Sequence, residues 1–145
     1  MATGTITVFE EAKAFMLDGD WASTDVFKCA VLDNTVAPTA ADATPALGDY
    51  TEVGTAGTYV AGGTALGDLA TLVTEAAGVM TFDSATNPTW AQDAANDVDA
   101  YWGLIYNSTE VGNKALAYIE LGGPVDMTAG DLTITWPAGG IFTIT

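Results

Sequence analysis

Residues Val98 to Thr145 read VDAYWGLIYNSTEVGNKALAYIELGGPVDMTAGDLTITWPAGGIFTIT. Apolar side chains recur here at every second position, the period of a half-buried strand. Val98, Ala100, Trp102, Leu104 and Tyr106 fall on one face, with Tyr101 and Ile105 on the reverse. Asn107 to Gly112 is a turn. Ala115, Ala117, Ile119 and Leu121 alternate next, with Leu116 and Tyr118 opposite. Gly122-Gly123-Pro124 is predicted to break that strand, since proline lacks a backbone donor. Leu132, Ile134 and Trp136 alternate against Asp131, Thr133 and Thr135. Pro137 to Gly140 turns, and Ile141 to Thr145 closes the segment as a strand.

The preceding residues fit the same pattern. Thr3 to Val8 reads as a strand. Val8, Ala12, Phe15 and the adjacent Met16 then predict a short helix, with Glu10 and Glu11 in its first turn and Asp18-Gly19-Asp20 at its end. Val26 to Leu32 is apolar on both faces apart from Lys28, which predicts a central strand. Asp49 to Val53 predicts a short strand, and Gly54 to Gly67 two turns around an edge strand at Tyr59. Leu69 to Glu75 and Gly78 to Asp83 predict a hairpin across Ala76-Ala77-Gly78. Ser84 to Asn96 reads as a loop. The expectation is a single all-β, mainly antiparallel domain over residues 1–145. It has about eight to ten strands in two facing sheets, a sandwich or jelly-roll-like fold, and one short helix near the N-terminus.

Residues 33–48, DNTVAPTAADATPALG, interrupt the pattern. Pro38 and Pro45 sit among alanines and small polar residues, and no apolar period survives. A connection of this length is either a solvated surface loop or an extended arm that reaches a neighbouring subunit.

The 145 residues are 49% hydrophobic and 15% charged, a globular composition. Three lysines face 19 carboxylates, with no arginine or histidine, for a formal net charge of −16. Histidine-based zinc sites, imidazole acid–base chemistry and histidine triads are therefore excluded. Three scattered lysines do not neutralise a phosphate backbone, so no direct nucleic-acid partner is expected. No run approaches the ~18 apolar residues of a membrane span, so no membrane partner is expected either. The opening Met1-Ala2-Thr3-Gly4-Thr5-Ile6 lacks the basic start and apolar stretch of a signal peptide, so synthesis in a cytoplasm is expected. Like charge repels copies of the chain at low salt, and screening weakens that repulsion.

Few residues offer chemistry. Cys29 is expected to be a buried structural thiol, because no histidine is present to polarise it. Asp97 and Asp99 share a strand face, and Asp18 and Asp20 flank a glycine. Either pair suits a hard cation or a solvated surface, and neither matches calcium-loop spacing. No cofactor is expected: the glycines of 54–67 lack the lysine and following helix of a phosphate loop. Trp102 and Trp136 lie in alternating patterns and are expected in the core. Trp21 and Trp90 fall in or near loops, as interface anchors or as sugar platforms.

The segments Phe27 to Val53 (FKCAVLDNTVAPTAADATPALGDYTEV), Tyr59 to Leu66 (YVAGGTAL), Ala100 to Asn107 (AYWGLIYN) and Lys114 to Thr145 together resemble a family of small virion proteins of tailed bacteriophages. Gly4 to Gly19 (GTITVFEEAKAFMLDG) resembles the same group. The resemblance spans nearly the whole chain and rests on the ordered series of strand and turn words. It implies a non-enzymatic structural role, a capsid decoration or cement protein on the surface of the virion. The implied partners are the major capsid protein and copies of the chain itself, with a trimer as the stoichiometry of such proteins. The competing places are the tail tube, the tail tip and a fibre or appendage. It marks no residue as catalytic. A glycan-binding module is the alternative from another class. The residues expected to meet a partner are Thr35, Val36, Pro38, Pro45 and Leu47 of the arm, together with Trp21 and Trp90.

Overall fold

A computed structural model describes residues 4–145, so the expected strand position Thr3 lies outside the described residues. The strands are β1 (Ile6–Val8), β2 (Val26–Leu32), β3 (Thr64–Asp68), β4 (Val73–Ala76), β5 (Val79–Phe82), β6 (Thr89–Trp90), β7 (Ala100–Asn107), β8 (Ala115–Val125), β9 (Leu132–Thr133) and β10 (Phe142–Ile144). Two short α-helices, α1 (Ala12–Leu17) and α2 (Leu69–Leu72), and a 3-10 turn at Leu47–Asp49 complete the described elements. The fold is all-β, and every strand pairing among the described residues is antiparallel. The strands form three sheets where two were expected: β1-β8-β7-β2-β3, β10-β5-β4 and β6-β9. No helix among the described residues is long and apolar enough to cross a membrane.

The five-stranded sheet carries the core. Its registers Cys29↔Ile105, Val31↔Gly103, Ile105↔Ala117 and Gly103↔Ile119 place these residues on one face. Gly103 is required there: a Cβ on it would stand 2.7 Å from both Ile119 Cγ2 and Ile134 Cδ1. On the other face Ala30 lies opposite Leu104, and Leu104 opposite Tyr118. Tyr118 packs on Phe9 with ring centroids 5.1 Å apart and edge-on to Trp102 at 5.9 Å. Both faces are thus covered, as the two-sided apolarity of β2 demands.

α1 forms as expected and buries Ala12 and Phe15. Glu10 and Glu11 precede it rather than filling its first turn. Gly19 follows its end with φ +76°, a left-handed conformation that glycine adopts without strain. The β4–β5 hairpin also forms as expected. Ala77 and Gly78 both have positive φ, the requirement of a type I′ turn.

Several expectations need correction. Ser84 to Asn96, expected as a loop, contributes β6, and Val98 precedes β7 and is exposed. Residues 69–72 turn helically before β4, because the amides of Leu69 and Ala70 donate to the carbonyls of Asp25 and Ser23 instead of to a strand. Tyr59 lies in no strand. It is buried, and its hydroxyl accepts from the Val31 amide at 3.1 Å while donating to Glu52. Residues 49–53 contribute only a bridge, Leu32↔Glu52. β8 continues past Gly122-Gly123-Pro124, but the expected break survives as a bulge: between Trp102↔Glu120 and Ala100↔Val125, residues 121–124 stand opposite Tyr101 alone, and Gly122 and Gly123 have positive φ. The register with β1 covers only Ala117 to Ile119, so that stretch of β8 has a free outer edge, where proline is tolerated.

Candidate functional site

The Pro/Ala-rich loop does not project. Asp33 closes its start by accepting from the Thr35 amide at 2.7 Å and the Thr35 hydroxyl at 2.8 Å. Asp42 accepts from the Thr39 amide at 2.9 Å and the Tyr50 hydroxyl at 2.8 Å. Burial raises the Asp42 carboxyl, but these bonds and one from the Thr39 hydroxyl outweigh it and hold the group below its ordinary range. The loop then binds its own domain. The Glu10 amide donates to Ala40 O, the Thr44 amide to Glu11 Oε2, the Leu47 amide to Asn113 O and the Ala115 amide to Pro45 O. Pro38 and Pro45 are buried, Leu47 is half-buried, and Thr35 and Val36 are exposed. The expected arm is therefore a loop folded back over its own sheet.

Trp90 is corrected as well. It is buried in β6 and packs on Tyr59 with centroids 6.1 Å apart, so it has no open ring face. Trp136 is buried, and its indole N–H donates to Thr86 O at 3.0 Å. Trp102, expected in the core, is half-buried and donates to Asn34 Oδ1 at 3.0 Å. Trp21 and Trp102 lie on opposite sides of the large sheet, one against Phe27 and the other against Tyr118. The tryptophans therefore form no shared platform for a sugar ring.

Trp21 lies at the feature that the sequence left hidden. It stands edge-on to Phe27 at 5.2 Å and tilts against Phe15 at 6.3 Å. Its indole nitrogen is buried with no hydrogen-bond partner. Beside it opens an apolar groove of about 550 Å³. One wall is Met16, Leu17 and Trp21, with Leu69 and Ala70 of α2. The other is a single face of the three-stranded sheet. The registers Val73↔Phe82, Phe142↔Phe82 and Ile144↔Met80 bring those side chains together. Phe82 joins the groove to the core through an edge-on contact with Phe27 at 5.5 Å. Leu17, 87% exposed, is left at the lip. The hairpin of β4 and β5 and the closing strand were legible, but the pairing of β10 with β5 was not, because about sixty residues separate them.

A second cleft, of about 350 Å³, is polar and lined by Asp33, Asn34, Thr35, Asp97, Asp99 and Tyr101. Asp97 is already occupied. It accepts from the Gly54 amide at 3.0 Å and the Val98 amide at 2.8 Å, and these bonds, Gly54's foremost, hold its carboxyl below the ordinary range. Asp20 pairs with Lys114 at 2.5 Å, and that ammonium also lies over the Phe15 ring. Among the described residues no three Cys, Asp or Glu side chains converge on a metal position. Cys29 is fully buried, and burial pushes its thiol up to about 12, so it is a protonated packing group at neutral pH. No protein-family model, curated protein or solved structure matches this chain.

Proposed function

We propose that the chain is a non-enzymatic structural protein of a tailed-phage virion, decorating the capsid by docking on the major capsid protein through the Trp21 groove. The observation that carries this reading is the groove itself. An apolar face built from Val73, Met80, Phe82, Phe142 and Ile144 stays open beside a free sheet edge. Contiguous apolar surface of this kind marks an interaction site on a soluble domain. The resemblance to small virion proteins supplies the class of partner. The loop at 33–48 serves as structure rather than as the attachment arm.

Co-sedimentation of the purified chain with capsids tests the reading. The wild type is expected to pellet with capsids, and Ile144→Asp, folded by circular dichroism, to remain in solution. Equal pelleting of both proteins would contradict docking through the groove. No pelleting of the wild type would contradict decoration.

A further inference from the structure

We propose that the groove takes an extended segment of a partner polypeptide, apolar at alternate positions and flanked by lysine or arginine, added as a fourth strand on the outer edge of β10. The inference rests on the groove being the docking surface proposed above and names the chemistry of what it receives.

Backbone pairing comes first. β10 is an edge strand of its sheet, and its outer side pairs with no strand among the described residues. Its sequence, Phe142-Thr143-Ile144, has no charge and no proline, the usual devices that keep an edge from pairing. A strand added there completes the free N–H and C=O groups. Its alternate side chains fall beside Phe142 and Ile144, on the face that floors the groove. That geometry asks for apolar residues at every second position.

Charge decides the flanks. Glu75, the register partner of Met80, lies on the same sheet face but on β4, the edge opposite β10. Asp18 follows Leu17, and Asp68 precedes Leu69. The cations near α1 are Lys13, one helical turn before Leu17, and Lys114, which pairs with Asp20 over Phe15. The rim is therefore net negative on a chain of formal charge −16. A segment with basic flanks is attracted to it, and one with acidic flanks is repelled. A second copy fits poorly. It brings another −16, and none of its three lysines lies in β4, β5 or β10.

The test uses synthetic peptides and the full chain labelled at its methionine methyls. The first peptide carries valines at alternate central positions between pairs of lysines. The second has the same core between pairs of glutamates. The third is the lysine peptide with its backbone amides methylated along one edge. At low salt, about 0.05 M, the first is expected to bind and shift the Met80 methyl. The second and third are expected to bind at least about tenfold more weakly. Raising the salt to about 0.5 M is expected to narrow the preference for lysine flanks. Equal affinity for lysine and glutamate flanks would overturn the inference, as would no binding. So would a concentration-dependent dimer abolished by Ile144→Asp, which would give the groove to a second copy. Peptide binding as expected without capsid co-sedimentation would remove only the virion reading. Capsid co-sedimentation with no peptide preference would remove only this one.

Discussion

The rings of Phe82 and Phe142 stack 5.1 Å apart and within 9° of parallel, so the floor of the groove is continuous with the core. Phe82 is 3% exposed and reaches Phe27, whereas Phe142 is only half-buried. Their truncations should separate stability from docking. Phe82→Ala is expected to cost about 3–5 kcal/mol, the range for a large core deletion. Phe142→Ala is expected to cost roughly 1–2 kcal/mol. Urea unfolding measures both, and equal losses would mean that the floor is not anchored through Phe82.

Gly103→Ala forces a methyl against Ile119 and Ile134 in the middle of the large sheet. Overpacking of this kind costs about 1–3 kcal/mol. Gly48→Ala is the matched control, since a Cβ there meets nothing within 4 Å. Its unfolding midpoint should stay near that of the wild type. A neutral Gly103→Ala would show that the sheet relaxes around the added methyl.

Replacing residues 35–44 by a flexible glycine-serine linker removes three hydrogen bonds to the body, from Tyr50 to Asp42, Glu10 to Ala40 and Thr44 to Glu11. At about 1 kcal/mol each, the expected loss is roughly 3 kcal/mol. Capsid attachment should persist at temperatures where the variant stays folded. A variant of unchanged stability that no longer attaches would restore the loop to the role of a docking arm.

Asp97 has a folded-state carboxyl held below its ordinary value of 3.8, first by the Gly54 amide. A depressed carboxylate contributes stability that is present above its unfolded value and lost as the pH falls through the folded one. The chain should therefore lose stability below about pH 4. Asp97→Asn should reduce that loss, since asparagine does not titrate. Urea midpoints at neutral pH and below about pH 4 check it. An identical acid dependence in the variant would count against the Gly54 contact.

Cys29 faces the interior opposite Ile105, with its thiol raised to about 12 by burial. It should resist thiol reagents in the folded chain at mildly alkaline pH and react promptly in denaturant. Rapid modification of the folded protein would mean that the sheet opens around β2.

Much of the fold was legible because local pattern and final register agree. β2 has the bounds its two apolar faces predict, and the Ala77-Gly78 hairpin follows from turn chemistry. The failures are where tertiary partners override local signals. The amides of Leu69 and Ala70 find loop carbonyls and turn helically. Pro124 is accommodated in β8 because the register with β7 slips there and β1 does not reach it. Of the expected contact residues, Trp21 lies at the groove, Trp90 is buried and Pro38 and Pro45 are turned inward. The rest of the groove depends on α1, α2, β5 and β10 meeting in space. No spacing within one segment encodes that meeting.

The proposed decoration of a capsid is tested most directly by the copy number of the chain in virions purified from a host culture that carries its gene. Quantitative mass spectrometry against the major capsid protein gives that number. A ratio near one, or a simple fraction such as one third, is the result expected of a protein seated on the icosahedral lattice. A trace amount would move the chain to the tail or an appendage, and its absence from the particle would contradict a virion role altogether.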